Sequence, residues 1–200
     1  MTVGIVVLAA GASTRLGEPK QLITLNGVTL LRRAALTALA TLHRPVAVVL
    51  GATNHLFRGE LNGLDVAIVE NKDWADGMGA SIRCGMEHLL SIQPSLDAAL
   101  LMVCDQPFVS VGLLNALVEK HRATTETIIA CDYGESVGVP ALFPKRVFFD
   151  LLQLRGSEGA KKLIVSQSYS TISFPDGAFD IDTPTDVMKL RQAFSNSMRS

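Results

Sequence analysis

The sequence predicts a three-layer α/β domain with a mixed, mainly parallel sheet. Strand-like apolar runs at 3–8, 46–50, 66–70, 98–103 and 127–131 alternate with segments of helical periodicity, the pattern of βαβ units covered on both faces. Within the first run, 3–8, apolar residues follow one another without polar alternation, as a strand buried on both sides requires. The 200 residues suffice for one such domain with a substantial core. A single domain is expected over 1–194, followed by a frayed tail at 195–200.

Each helix carries its own signal. Thr29 caps a helix expected to reach Leu42, with Leu30 and Ala34, and Leu31 and Ala35, at helical spacing. Met78, Ile82, Met86 and Leu90 recur every four residues, placing a helix start near Gly79. Ser110 caps another helix through His121. Thr183-Pro184-Thr185-Asp186 opens the last one with a hydroxyl cap, proline at the first position and an acid in the first turn. Between 132 and 143 the alternation breaks. Tyr133-Gly134-Glu135 reads as a turn, and 137–143 as a strand returning antiparallel to 127–131, a wall for a second substrate.

Composition narrows the function. A net charge of −1 argues against a basic nucleic-acid surface. Cys84, Cys104 and Cys131 are odd in number and lack C-x-x-C spacing, so they read as reduced thiols rather than a disulfide framework or zinc site. The start of the chain lacks a basic segment and cleavage site, and no apolar run approaches the roughly 18 residues of a membrane span. The expectation is a cytoplasmic protein without membrane contact. His43, His55, His88 and His121 do not cluster with a nucleophile motif, and His88 and His121 read as solvated helix faces. No G-x-S-x-G elbow is present.

The most informative segment follows the first strand: Leu8-Ala9-Ala10-Gly11-Ala12-Ser13-Thr14-Arg15-Leu16-Gly17-Glu18-Pro19-Lys20. Small residues let backbone N–H groups approach a phosphate chain, while Arg15 and Lys20 supply compensating charge. The P-loop pattern fails, because Gly17 precedes Glu18 and Pro19 rather than Lys and Ser or Thr. The dinucleotide fingerprint fails too, because Gly11 and Gly17 stand alone and the second strand ends in Val49-Leu50-Gly51 without an acid. The remaining reading is a nucleoside triphosphate loop.

Val103-Cys104-Asp105-Gln106-Pro107 ends an apolar strand on one carboxylate. In parallel α/β sheets ligands bind beyond the carboxyl ends of the strands, so Asp105 and the Gly11 loop converge if their strands are neighbours. A carboxylate beside a triphosphate requires an intervening cation, and Mg²⁺ takes few carboxylates together with phosphates and waters. Asp105 is the first candidate metal ligand; the alternative for it is a turn cap before Pro107. Asp180 and Asp182 are two apart on an extended segment and so share a side. Asp182 is the second candidate ligand, the alternative being a helix cap with Thr183, and Asp180 is a supporting acid. Asn71, Gly77, Met78, Gly79 and Ser81 form a further block in which the glycines allow close approach to a base edge and the helix N-terminus favours anions. Trp74 reads as a core or lid residue, and Arg83 either serves this block or pairs with Glu87.

The loop resembles the L-A-[AG]-G-x-[ST]-x-R-[ML]-G-x-x-K signature of the cofactor nucleotidyltransferases, and among them the molybdenum cofactor cytidylyltransferases and their guanylyltransferase relatives. Further family-like blocks follow in order at 71–85, 104–107, 138–143 and 180–184, so the resemblance covers essentially the whole chain. It implies a Rossmann-like nucleotidyltransferase fold and Mg²⁺-dependent transfer of CMP from CTP to the terminal phosphate of molybdopterin cofactor. It also implies nucleotide contacts from Leu8, Ala9, Ala10, Gly11, Ser13, Arg15, Lys20, Asn71, Gly77, Met78, Gly79 and Ser81. Lys20, Arg15 and Asp105 would be catalytic, with metal held by Asp105 and Asp182. The implied partner beyond the substrates is a molybdenum hydroxylase or its chaperone. Alanine at the position of Ala10 accompanies cytidylyl transfer, and glycine there guanylyl transfer. The acceptor half departs from the pattern: a polar residue is usual at Val139, Asp at Ser157 and Arg at Lys161. Two alternatives stand beside this one: a nucleotidyltransferase using GTP or another phosphorylated acceptor, and a non-catalytic nucleotide-binding or cofactor-delivery module.

Overall fold

The computed structural model describes residues 1–197 except 14–15, 52–53, 125–126, 180 and 182. From the N-terminus, β1 (Val3–Ala9) leads to a short hairpin of β2 (Thr24–Leu25) and β3 (Val28–Thr29). Then come α1 (Leu30–Ala40), β4 (Val46–Leu50), α2 (Asn54–Phe57), β5 (Ala67–Glu70) and α3 (Met78–Ile92). The second half contains β6 (Ala98–Val103), α4 (Val111–Thr124), β7 (Ile128–Asp132), β8 (Val137–Pro144), α5 (Phe148–Gln153), α6 (Ala160–Ser166), β9 (Tyr169–Ser173) and α7 (Pro184–Ser197).

Seven strands form the main sheet in the order β5-β4-β1-β6-β8-β7-β9. β5, β4, β1 and β6 are mutually parallel, β8 runs antiparallel to both β6 and β7, and β9 is parallel to β7. This is the mixed, mostly parallel sheet expected from the sequence. The antiparallel return after residue 132 is also present, but β8 inserts between β6 and β7 rather than extending the edge. Every residue of β1 is buried. Ile5 and Val7 face one core, against Leu31, Ala35, Leu114 and Leu117 of α1 and α4. Val6 and Leu8 face the other, against Ile82, Met86 and Leu89 of α3 with Leu151 and Ile164 of α5 and α6. A third, smaller cluster joins Leu16, Ile23, Leu25 and Leu30 to Ile181, Val187 and Leu190, fastening the loop region to α7.

The caps act as expected, with shifted ends. Thr29 accepts from the Arg32 N–H at 3.3 Å. α1 stops two residues before Leu42, because Thr41 Oγ1 donates to the Ala38 carbonyl at 2.6 Å and Leu42 is 95% exposed with nothing to bury. Ser110 Oγ accepts from the Leu113 N–H at 3.2 Å. Thr183 and Asp186 cap reciprocally, Asp186 Oδ2 accepting from the Thr183 N–H at 2.9 Å and Thr183 Oγ1 from the Asp186 N–H at 3.3 Å. α7 runs through Ser197. Phe194 is anchored, stacking on Phe108 with centroids 5.3 Å apart beneath the Arg33 guanidinium.

His121 corrects a sequence reading: it is buried, with Nδ1 3.4 Å from the Thr127 carbonyl, because α4 extends past it and packs on β7. No helix among the described residues is long and apolar enough to cross a membrane.

Candidate active site

β1 and β6 are neighbours, with Leu8 opposite Val103, so the Gly11 loop and Asp105 leave the same edge of the sheet side by side. To one side of β1 lie β4 and β5 and to the other β6, the switch in strand order at which such sheets bind ligands. Lys20, carried back by the loop, donates from Nζ to the Asp105 carboxylate in an ion pair whose side chains are 20% and 18% exposed.

Gln21, which the sequence reading passed over, holds that loop. It is 1% exposed, and its Nε2 donates to the carbonyls of Ala9 at 2.9 Å and Gly11 at 2.7 Å. Ser13, at a φ of +53°, donates to Gln21 Oε1 at 3.3 Å and accepts from the Lys20 N–H at 3.0 Å. The Ser13 hydroxyl is therefore engaged in the loop's own scaffold. The available signal was an uncharged polar residue directly before the apolar Leu22 and Ile23.

Two cavities meet at Asp105. One, of about 260 Å³, is lined by Leu8, Ala9, Ala10, Gly11, Lys20, Trp74, Gly77, Met78, Ser81 and Asp105. The other, of about 400 Å³, is walled by Gln106, Tyr133, Gly138, Val139, Gly159 and Lys161. Leu8, Met78, Val103 and Asp105 line both. The returning strand thus forms a second wall, as its sequence suggested. A larger groove, of about 700 Å³, lies at the far end of the sheet beside Asp97, His121, Arg122 and Pro144, away from all these residues.

Asn71 and Ser81 are brought together, Asn71 Nδ2 donating to Ser81 Oγ at 3.0 Å, while Asn71 Oδ1 accepts from the Asp73 N–H at 3.0 Å. Both side chains are buried, and Ser81 lines the smaller cavity. Gly77, which lines the smaller cavity, and Gly79 also meet a packing need. They let the 77–79 turn lie directly on the backbone of the 154–157 loop, where Gly79 N–H donates to the Gly156 carbonyl at 3.1 Å. Arg83 follows the same contact, donating to the Leu154 carbonyl rather than pairing with Glu87. Gly77 has a φ of +105°, and a Cβ there would lie 2.4 Å from the Gly156 oxygen. Gly77→Ala should therefore cost roughly 2–5 kcal/mol, from backbone strain and overpacking together. A lowered urea midpoint checks this; an unchanged midpoint would show that the two loops separate freely.

Of the remaining candidates, Arg15, Asp180 and Asp182 lie outside the described residues. Among the described residues no three His, Cys, Asp or Glu side chains converge as a metal site. One carboxylate, Asp105, thus faces the cavities from the sheet edge, a donor set suited to a cation that arrives with phosphate oxygens rather than one caged by protein. Cys104, its neighbour, is no nucleophile: burial and then the adjacent Asp105 push its thiol far above the usual range.

The sequence matches the MobA-like NTP transferase domain over residues 5–171. The chain belongs to this family. It is accordingly a nucleotidyltransferase. Purine catabolism protein PucB of Bacillus subtilis strain 168 is 29% identical over 203 residues, spanning 95% of this chain and 96% of its own. Molybdenum cofactor guanylyltransferase of Sinorhizobium fredii strain NBRC 101917 / NGR234 is 30% identical over 146 residues, spanning 73% of this chain and 65% of its own. The crystal structure of Rv0371c from Mycobacterium tuberculosis H37Rv in complex with manganese superposes with a TM-score of 0.77 at 28% identity, covering 96% of this chain and 100% of its own. Membership of the MobA-like family sets aside the delivery-module alternative, because the family is that of an NTP transferase domain.

Proposed function

We propose that this MobA-like transferase moves CMP from CTP to the terminal phosphate of molybdopterin cofactor, releasing pyrophosphate. The observation that carries the reading is the Lys20–Asp105 pair at the junction of two cavities, one lined by the Gly11 loop and one by β8. Nucleotide occupies the first cavity and acceptor the second. The acceptor phosphate oxygen attacks the α-phosphorus, and the bond to the bridging oxygen of pyrophosphate breaks. The nucleophile is already an anion, so no strong general base is required. Backbone N–H groups of the small-residue loop and the charges of Lys20 and Arg15 hold the triphosphate, and this positioning with charge neutralisation supplies most of the catalysis.

Asp105, with Asp182, would hold Mg²⁺ against the phosphate oxygens. The single described carboxylate fits a nucleotide-borne cation, and the manganese complex of Rv0371c supports divalent-metal dependence. When bound, the ion supplies Lewis-acid stabilisation of charge on those oxygens. Ser81, held by Asn71, shapes the base end of the cavity, with Gly77 and Met78 beside it and Gly79 behind them in the chain. Domain extent over 1–194, a cytoplasmic location and transient docking to a molybdenum hydroxylase or its chaperone belong to the same proposal.

Base choice separates cytidylyl from guanylyl transfer, and the guanylyltransferase relative gives the second reading its weight. Ala10 lines the nucleotide cavity, and a Cβ on Gly51 would lie 2.6 Å from the Ala10 oxygen. Ala10 is thus backed by packed chain and cannot withdraw from a larger base. Wild type should prefer CTP, and Ala10→Gly should narrow the preference by about tenfold to two hundredfold, the range of a methyl-sized difference of roughly 1–3 kcal/mol. Competing CTP and GTP at equal concentration for molybdenum-loaded molybdopterin gives the ratio of specificity constants. Wild-type preference for GTP would replace cytidylyl with guanylyl transfer.

A further inference from the structure

The turn after Asp105, strand β8 and the 175–178 turn meet at one phenol. Tyr133 Oη donates to the Val139 carbonyl and accepts from Gln106 Nε2 at 2.9 Å. The same amide nitrogen donates to the Gly177 carbonyl at 3.2 Å. A carbonyl only accepts, so the phenol proton is committed to Val139 and Gln106 must turn its NH₂ group toward the phenol oxygen. That leaves Gln106 Oε1 buried with no donor among the described residues. The Tyr133 and Gly177 oxygens thus fix the same orientation of the amide.

The ring is confined as closely as the hydroxyl. A Cβ on Gly177 would lie 2.3 Å from the ring, and one on Gly138 would lie 2.7 Å from Oη. Phe174 packs edge-on with its centroid 6.3 Å away. Gln106, Val139 and Gly177 all line the larger cavity. Gln106 directly follows Asp105 in the chain.

We propose that Tyr133 is a positioning residue for nucleotidyl transfer: its hydroxyl ties Gln106 to β8, Gln106 in turn holds the 175–178 turn, and this linkage fixes the Asp105 carboxylate between the two cavities. The proposal rests on the role given to Asp105 above. It does not place Tyr133 in contact with substrate.

Tyr133→Phe removes one oxygen and keeps the ring, and Gln106→Met breaks the same link from the other side. In both variants kcat for CMP transfer should fall about tenfold to a hundredfold, the usual cost of losing a group that orients a ligating residue. Affinity for a non-hydrolysable CTP analogue without metal, measured by calorimetry, should stay within about twofold, because Tyr133 and Gln106 are not among the residues lining the nucleotide cavity. Mn²⁺ affinity of the protein–analogue complex, read by water proton relaxation, should weaken by about the same factor as kcat. Weaker Mn²⁺ binding with intact nucleotide affinity supports the proposal. Mn²⁺ affinity within about twofold of wild type in both variants overturns it, as does a parallel loss of nucleotide affinity, which marks a general structural role. If wild type transfers CMP to no acceptor tested, the activity reading fails by itself, and the Mn²⁺ comparison still decides the role of Tyr133.

Discussion

Asp105→Asn should yield a folded protein whose turnover is about a hundred- to a thousandfold below wild type, a loss of roughly 3–4 kcal/mol of transition-state stabilisation. Asn matches Asp in volume, so packing at the end of β6 is preserved and only charge is lost. That charge lines both cavities and is paired with Lys20. On the proposed reading its removal weakens cation binding beside the transferred phosphate, and it also removes one partner of the Lys20 ammonium. Metal-free nucleotide affinity should therefore hold or rise while turnover collapses. Pyrophosphate release at saturating Mg²⁺ measures the turnover, circular dichroism the fold, and calorimetry the affinity. Turnover within a few-fold of wild type would reduce Asp105 to a turn cap before Pro107.

The convergence behind that prediction was legible in the sequence because it follows from topology. An apolar run ending in a cationic loop and another ending in a carboxylate must meet if the strands are neighbours, and β1 pairs with β6. Local signals were less evenly used. Asn26 and Gly27, with φ of +54° and +78°, make the turn between β2 and β3, and an Asn-Gly pair flanked by apolar residues is itself a hairpin signal. β9 is different. Tyr169-Ser-Thr-Ile-Ser is a half-exposed edge strand with no apolar run, defined by its pairing with β7 rather than by composition.

Tertiary partners explain the other differences. His121 and Arg83 lie on helices whose sequence pattern suits a solvated residue, yet β7 and the 154–157 loop cover them. Gly77 was recognisable as a special position, but whether it makes room for a base or for another backbone depends on which loop lands there. Tyr133 read only as part of a turn; its bonds to Gln106 and Val139, and the bond from Gln106 to Gly177, exist solely in three dimensions. The cavity beside the Gly11 loop was clearer because its residues are contiguous with strand ends, whereas the wall of the second cavity is assembled from β8, α6 and the 175–178 turn.

Lys20→Ala should lower kcat/KM for CTP by about a hundred- to a thousandfold, because its charge meets the triphosphate in both ground and transition states. Lys20→Arg should restore only part of this, since a planar fork does not replace a point charge held at that distance. A second consequence follows from the ion pair. Both partners are mostly buried, so removing the ammonium leaves the Asp105 carboxylate without the counter-charge it has in the free protein. Lys20→Ala should melt below wild type for that reason. Divalent cations should then raise its melting temperature more than they raise that of wild type, where the ion must compete with Lys20 for the same carboxylate. In Lys20→Ala/Asp105→Asn the extra cation response should vanish, because the shared ligand is gone. Thermal melts of these three proteins with and without Mg²⁺ or Mn²⁺ measure these differences directly, and steady-state pyrophosphate release gives the kinetic arm. Equal cation responses in wild type and Lys20→Ala would separate the ammonium from the cation site, and unchanged kcat/KM would remove the Gly11 loop from the chemistry.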